Sequence, residues 1–166
     1  MFELKPLSKE AIPRALEKAQ RYRLLNEPVE AQSICLDVLR IDPENESALV
    51  CLLLALTDQF DEEITDAIVQ AREVLPRLRD GYSRAYYAGI ICERRAKAQL
   101  KHGGPGSGHV AYGAFREALG WYEKAEALRP AGNDDALLRW NTCARILMRD
   151  PHLVPEPEDR TEPPLE

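Results

Sequence analysis

The chain lacks alternating apolar–polar runs of the kind a half-buried strand requires, and no apolar stretch approaches 20 residues. The first absence argues against a β-rich architecture, and the second excludes an integral membrane helix. A basic surplus is also missing: the formal net charge is −6 over 166 residues, which does not indicate a nucleic-acid binder. Four of the six negative charges lie in the last 16 residues, PHLVPEPEDRTEPPLE, where five acids accompany one arginine. Cysteines are few, and Cys35, Cys51, Cys92 and Cys143 show neither metal-ligand nor redox spacing. They read as small buried hydrophobes of a reducing compartment. The opening MFELKPLSKEAIPRALEKAQ has no apolar signal core or cleavage site, so a cytoplasmic, non-membrane protein is expected.

Chemistry-bearing clusters are equally scarce. The three histidines, His102, His109 and His152, fall at a glycine-rich turn and in the tail. Serine does not occur in a nucleophile elbow, and no carboxylate pair shares an apolar helix face with a candidate base. The run GGPGSG is followed by no Lys-Ser/Thr, which removes a phosphate-cradling loop. No catalytic residue, cofactor or metal site is expected.

What the sequence does contain is helical periodicity almost throughout, with apolar residues at three- and four-residue spacings. Pro13 and Pro28 suit first helical turns, and Asn45, Asp61 and Asn133 are candidate N-caps. The expectation is an all-α body, residues 1–150, with helices near 13–25, 28–41, 46–59, 62–79, 83–102, 109–129 and 134–149. Pro76 should shorten or kink the fourth. Residues 151–166 are expected to form a disordered, acidic, proline-rich tail.

Two segments share one layout. Ala31, Cys35, Val38 and Pro43 have the same spacing as Ala118, Tyr122, Ala125 and Pro130. A small residue, a larger one, another small or branched one and a helix-ending proline meet the needs of close helix pairs. In this the sequence resembles the tetratricopeptide repeat (TPR) family, whose 34-residue unit is a helix–turn–helix. The resemblance covers about 12–149 and implies repeats at about 12–45, 46–81 and 82–132 with a capping helix at 133–149. It places Ala19 and Gly89 at the family's small position 8. It implies a superhelix of antiparallel helix pairs with one concave face.

The third repeat is too long. With Tyr82 as position 1, the signature alanine should be residue 101, yet it is Ala118, 17 residues later. The excess reads as a lengthened helical hairpin with residues 103–108 at its tip. The stretch 77–101 carries seven Lys/Arg against two acids, and 42–66 carries eight acids and no Lys or Arg. Pairing between the two is the simplest expectation.

On the family pattern the concave groove would be lined by Gln20, Arg23, Leu54, Tyr86, Tyr87, Ile90, Arg94, Asn141 and Arg145. Tyr and Arg are frequent interface anchors. An extended or helical peptide with apolar anchors and an acidic flank would suit such a groove. Leu16 and Gln20 stand where a chaperone-tail carboxylate clamp would need Lys and Asn, so that specialised activity is disfavoured. The function implied is a non-catalytic protein-interaction module or adaptor. The competing expectation is a self-associating scaffold, a homo-oligomer formed through the groove or the long hairpin.

Overall fold

A computed structural model describes residues 1–61 and 65–157 of the chain. Among these the fold is all-α, with no strand. Helices α1 (Ile12–Leu24), α2 (Pro28–Ile41), α3 (Glu46–Thr57), α4 (Thr65–Val74), α5 (Gly81–His102), α6 (Ser107–Leu128) and α7 (Asp135–Arg149) follow in order. Single 3-10 turns precede α1 at Lys9–Ala11 and follow α4 at Leu75–Arg77.

The boundaries follow from local chemistry. Proline stands in the first turn of both α1 and α2, where its missing N–H costs nothing. Asn26 joins these two helices with φ +59°, a conformation asparagine tolerates better than most residues. The Asn45 side chain accepts from the Ala48 amide at 2.9 Å and caps α3. Asp80 does the same for α5 through the Ser83 amide at 2.7 Å. Asn133 stands one residue further out than expected, since its Oδ1 accepts from the Asp135 amide and from the Tyr82 hydroxyl. Asp61 caps nothing that is described, and residues 62–64 lie outside the described residues; its carboxylate instead takes the Lys101 ammonium at 2.7 Å. The fourth helix, expected over 62–79, ends at Val74, and Pro76 lies inside the 3-10 turn that replaces its last turn.

Consecutive helices pack together, and across the α4–α5 junction α5 divides its contacts between α3 and α4. Helix α1 also touches α3. Two apolar clusters result. One joins α1 to α4 with Ile91 and Ala98 of α5, and the other joins α5, α6 and α7. Leu54 and Tyr87 are packed against both.

The long α5–α6 hairpin is present, and its tip turns through Gly103, Gly104 and Gly106, all with positive φ. A side chain at any of the three would be strained. Between its arms the hairpin is held by alanines, with Ala96, Ala111 and Ala114 all buried in the second cluster. Lower down, the Tyr122 ring lies directly on Gly89: a Cβ there would stand 2.5 Å from Cε1. The basic and acidic stretches do meet. Arg77 donates to the Pro43 carbonyl, Arg79 to that of Glu44, and Arg94 lies 3.6 Å from Asp58.

The tail begins later than its composition implies. Asp150 accepts from the His152 amide, Leu153 is buried among α5–α7 residues, and His109 Nδ1 lies 2.9 Å from the Val154 carbonyl. The expected boundary at 150 is therefore corrected to beyond Val154, because one leucine in a polar segment found an apolar seat. Residues 158–166 lie outside the described residues.

Two glycine substitutions separate packing from propensity. Gly89→Ala should lower unfolding free energy by about 1–3 kcal/mol, since the new methyl must displace a buried ring. Gly113 of α6 faces open space, so Gly113→Ala should raise it by about 0.5–1 kcal/mol. Urea denaturation followed by circular dichroism measures both; equal effects at the two sites would contradict the assigned packing.

Candidate functional site

The four odd-numbered helices are linked by ion pairs. Arg23 of α1 reaches Asp58, at the end of α3, at 2.7 Å, and Asp58 also faces Arg94 of α5. Glu93 of α5 faces Arg139 of α7 at 3.4 Å. The result is one surface built from α1, α3, α5 and α7, with cations at each junction.

Beside the first junction lies a cavity of about 410 Å3 lined by Gln20, Arg23, Leu24, Glu46, Ser47, Val50, Cys51 and Leu54. Val50 and Leu54 supply an apolar floor, and Arg23 and Glu46 its charged edges. Leu24 is 88% exposed at the rim. Of the residues expected to line a groove, Gln20, Arg23 and Leu54 meet here, and Arg94 joins them through Asp58.

The second junction is mostly closed. Glu93 is fully buried, accepts from the Tyr122 hydroxyl at 2.6 Å and from Lys97 at 2.7 Å, and thereby satisfies both carboxylate oxygens. Arg139 Nε is buried without an acceptor in hydrogen-bonding geometry. Tyr86 stacks on Tyr82 and meets Tyr87 edge-on, forming an aromatic row beside this cluster. Of the other expected groove residues, Ile90 is 2% exposed and packs in the second core. Asn141 is half-buried and Arg145 exposed on α7, and neither lines the α1–α3 cavity. Of the nine residues, only Gln20, Arg23 and Leu54 line one cavity, and Ile90 belongs to the core.

Tyr122, Lys97 and Arg139 were not singled out as partners of Glu93 from sequence. Glu93 and Lys97 stand one helical turn apart, and that spacing was a visible signal; the Arg139 contact joins two helices and left no local trace.

Burial and the adjacent Glu93 charge push the Tyr122 hydroxyl well above its ordinary range. Burial pushes the Cys143 thiol up to about 12, and burial with the Glu117 charge raises Cys92 to about 11. The hydrogen bond with Cys35, helped by the Arg23 charge, lowers the Cys51 thiol, and Cys35 moves upward through that same bond and burial. Among the described residues no three His, Cys, Asp or Glu side chains converge as a metal site, and no helix is long and apolar enough to cross a membrane.

No protein-family model matches the chain, and none of the curated proteins or solved structures compared with it is significantly similar.

The raised groups fix a pH dependence. Cys92, Cys143 and Tyr122 hold their protons in the fold to higher pH than in the unfolded chain, so their contribution is complete below about pH 9 and is lost above it. Thermal stability should fall from about pH 9 upward. Tyr122→Phe should cost about 1.5–3 kcal/mol at neutral pH by leaving a buried carboxylate short of a donor, and should flatten the decline above pH 10. Melting temperatures from pH 7 to 11 for both proteins test this; parallel curves would show that Tyr122 does not supply that term.

Proposed function

We propose that the chain is a non-catalytic interaction module with TPR-like organisation, working in the cytoplasm as an adaptor. It takes a peptide or protein partner on the surface formed by α1, α3, α5 and α7. The observation that carries this reading is the α1–α3 cavity, which combines an apolar floor, an arginine edge and an exposed leucine at its mouth. An apolar anchor of the partner would enter between Val50 and Leu54. An acidic flank would lie toward Arg94 and Arg145, the first partly exposed in spite of its contact with Asp58.

The competing reading is a self-associating scaffold. It is favoured by Leu24 and Leu25, which are 88% and 62% exposed beside the same cavity, a patch that two copies would bury against each other. Both readings use the same residues and differ in what arrives.

One comparison separates them. The intact chain, Leu24→Glu and Val29→Glu serve as baits in the native lysate; Val29 is an exposed residue of α2 that does not line the cavity. A partner kept by the intact and Val29→Glu baits and lost by Leu24→Glu is the expected outcome. Light scattering over a hundredfold concentration range runs beside it. A molar mass that doubles with concentration, and returns to the monomer value in Leu24→Glu, would replace the adaptor with the scaffold.

A further inference from the structure

A second recess opens where α4 stops short. The helix ends at Val74, and Pro76 sits in the 3-10 turn that follows. Beyond that turn the start of α5 and the end of α6 line an open slot of about 650 Å3. Its α5 side is Gly81, Ala85 and Ala88, and its α6 side is Trp121, Lys124 and Leu128. Each set is spaced by three and four residues, so each forms one ridge along its helix. The two ridges differ in height. The α5 ridge is low: a Cβ on Gly81 would lie 3.4 Å from Leu128 Cδ1. The α6 ridge stands out, with Trp121 37% exposed and Leu128 58%. A low ridge beside a tall one leaves a groove between the antiparallel arms, and a third helix is the element whose side chains fit such a groove. From Trp121 to Leu128 it runs about 10 Å, two helical turns.

The slot also carries charge of one sign. Lys124 Nζ stands 4.4 Å above the Trp121 ring. Arg84 donates through Nη1 to the Leu78 and Arg79 carbonyls, which fixes the side chain without neutralising it. Its Nη2 is left beside Gly81, 3.9 Å from where a Cβ would stand. Neither cation enters an ion pair among the described residues, and no acid lines the slot. The acids flanking Lys124 in sequence are engaged elsewhere, Glu123 by the Trp140 indole N–H and Glu126 by Arg129. An apolar floor bordered by two such cations is complementary to an occupant that brings carboxylates with its apolar groups, and repels one that brings lysines.

We propose that this slot receives an acidic amphipathic helix from a partner protein. Apolar residues recurring every three to four positions over two turns lie on Gly81, Ala85 and Ala88 and against Trp121, and carboxylates on the flanks of the helix meet Lys124 and Arg84 Nη2. The incoming helix completes the layer that α4 leaves unfinished at Pro76. This surface is separate from the α1–α3 cavity, so occupancy of one does not require the other.

The probe is a synthetic helical peptide of about 12 residues, lactam-linked because an isolated helix that short is marginal in water. It carries leucines at spacings of three and four and glutamates on its other faces; a companion peptide has lysine in place of every glutamate. Heteronuclear NMR of the intact chain follows the Trp121 indole N–H and the Ala85, Ala88 and Leu128 methyls. The glutamate peptide should shift these signals saturably, and should do so equally in Leu24→Glu, which alters only the α1–α3 cavity. Its affinity should fall about tenfold or more in Lys124→Glu, and also when salt is raised from about 50 to about 500 mM. The lysine peptide should leave the intact chain unchanged and bind Lys124→Glu, a reversal that a misfolded variant would not give. Equal affinity for the two peptides, or an undiminished affinity in Lys124→Glu, would overturn the proposal. So would shifts that vanish in Leu24→Glu, or no saturable shift at millimolar peptide. Slot signals that move with protein concentration alone would give the place to a second copy instead.

Discussion

The third hairpin depends on a contact in which a side chain is absent. Gly89 presents bare backbone to α6, and the Tyr122 ring lies against it. Only that approach brings the phenol hydroxyl within 2.6 Å of Glu93, one helical turn further along α5. Glu93 is fully buried there, with Lys97 on its own helix at 2.7 Å and Arg139 on the next at 3.4 Å. A buried carboxylate left with one partner would cost several kcal/mol; held by three groups, it specifies how α5, α6 and α7 sit together. A larger residue at 89 would disturb the ring first, then the carboxylate, then the seat of α7.

The first junction follows a different logic. Arg23, Asp58 and Arg94 are all partly exposed, so their mutual attraction is screened and adds little to stability. What they contribute is a fixed distance between α1, α3 and α5. That spacing keeps the cavity beside Leu54 open, with Arg23 and Glu46 as its charged edges. The buried junction gives rigidity and the exposed one gives charge.

The helices were legible because their information is local. Periodicity, first-turn prolines and the Asn45 cap placed six of seven helices to within about two residues, and Pro76 announced the shortened fourth. The spacing of Ala118, Tyr122 and Ala125 pointed to close packing, and all three are fully buried in the second core. The candidate site was legible only in part. Gln20, Arg23 and Leu54 converge, whereas Ile90 is buried in the second core, where burial of an apolar side chain between helices outweighs its exposure in a groove. Leu153 was missed because composition averages over a segment, and one leucine among prolines and acids disappears in that average. The slot at Trp121 was missed for a related reason: it is made by the end of α4, a negative feature with no residue of its own.

The lengthened hairpin and the shortened α4 are two aspects of one geometric problem. Each arm of α5–α6 runs 22 residues, against 10 described for α4, so α4 cannot cover the hairpin along its whole length. The chain meets the deficit with unrelated means at each point. Alanines let the arms approach closely near the tip, Lys101 ties the end of α5 to Asp61, and Leu153 fills the gap beside α6. Each of these removes exposed apolar surface or fixes an arm that would otherwise be a lever. The flank between Pro76 and Trp121 stays open as a recess of about 650 Å3, with Lys124 over the Trp121 ring and Arg84 held by the Leu78 and Arg79 carbonyls, so the geometry leaves an apolar wall with positive charge beside it.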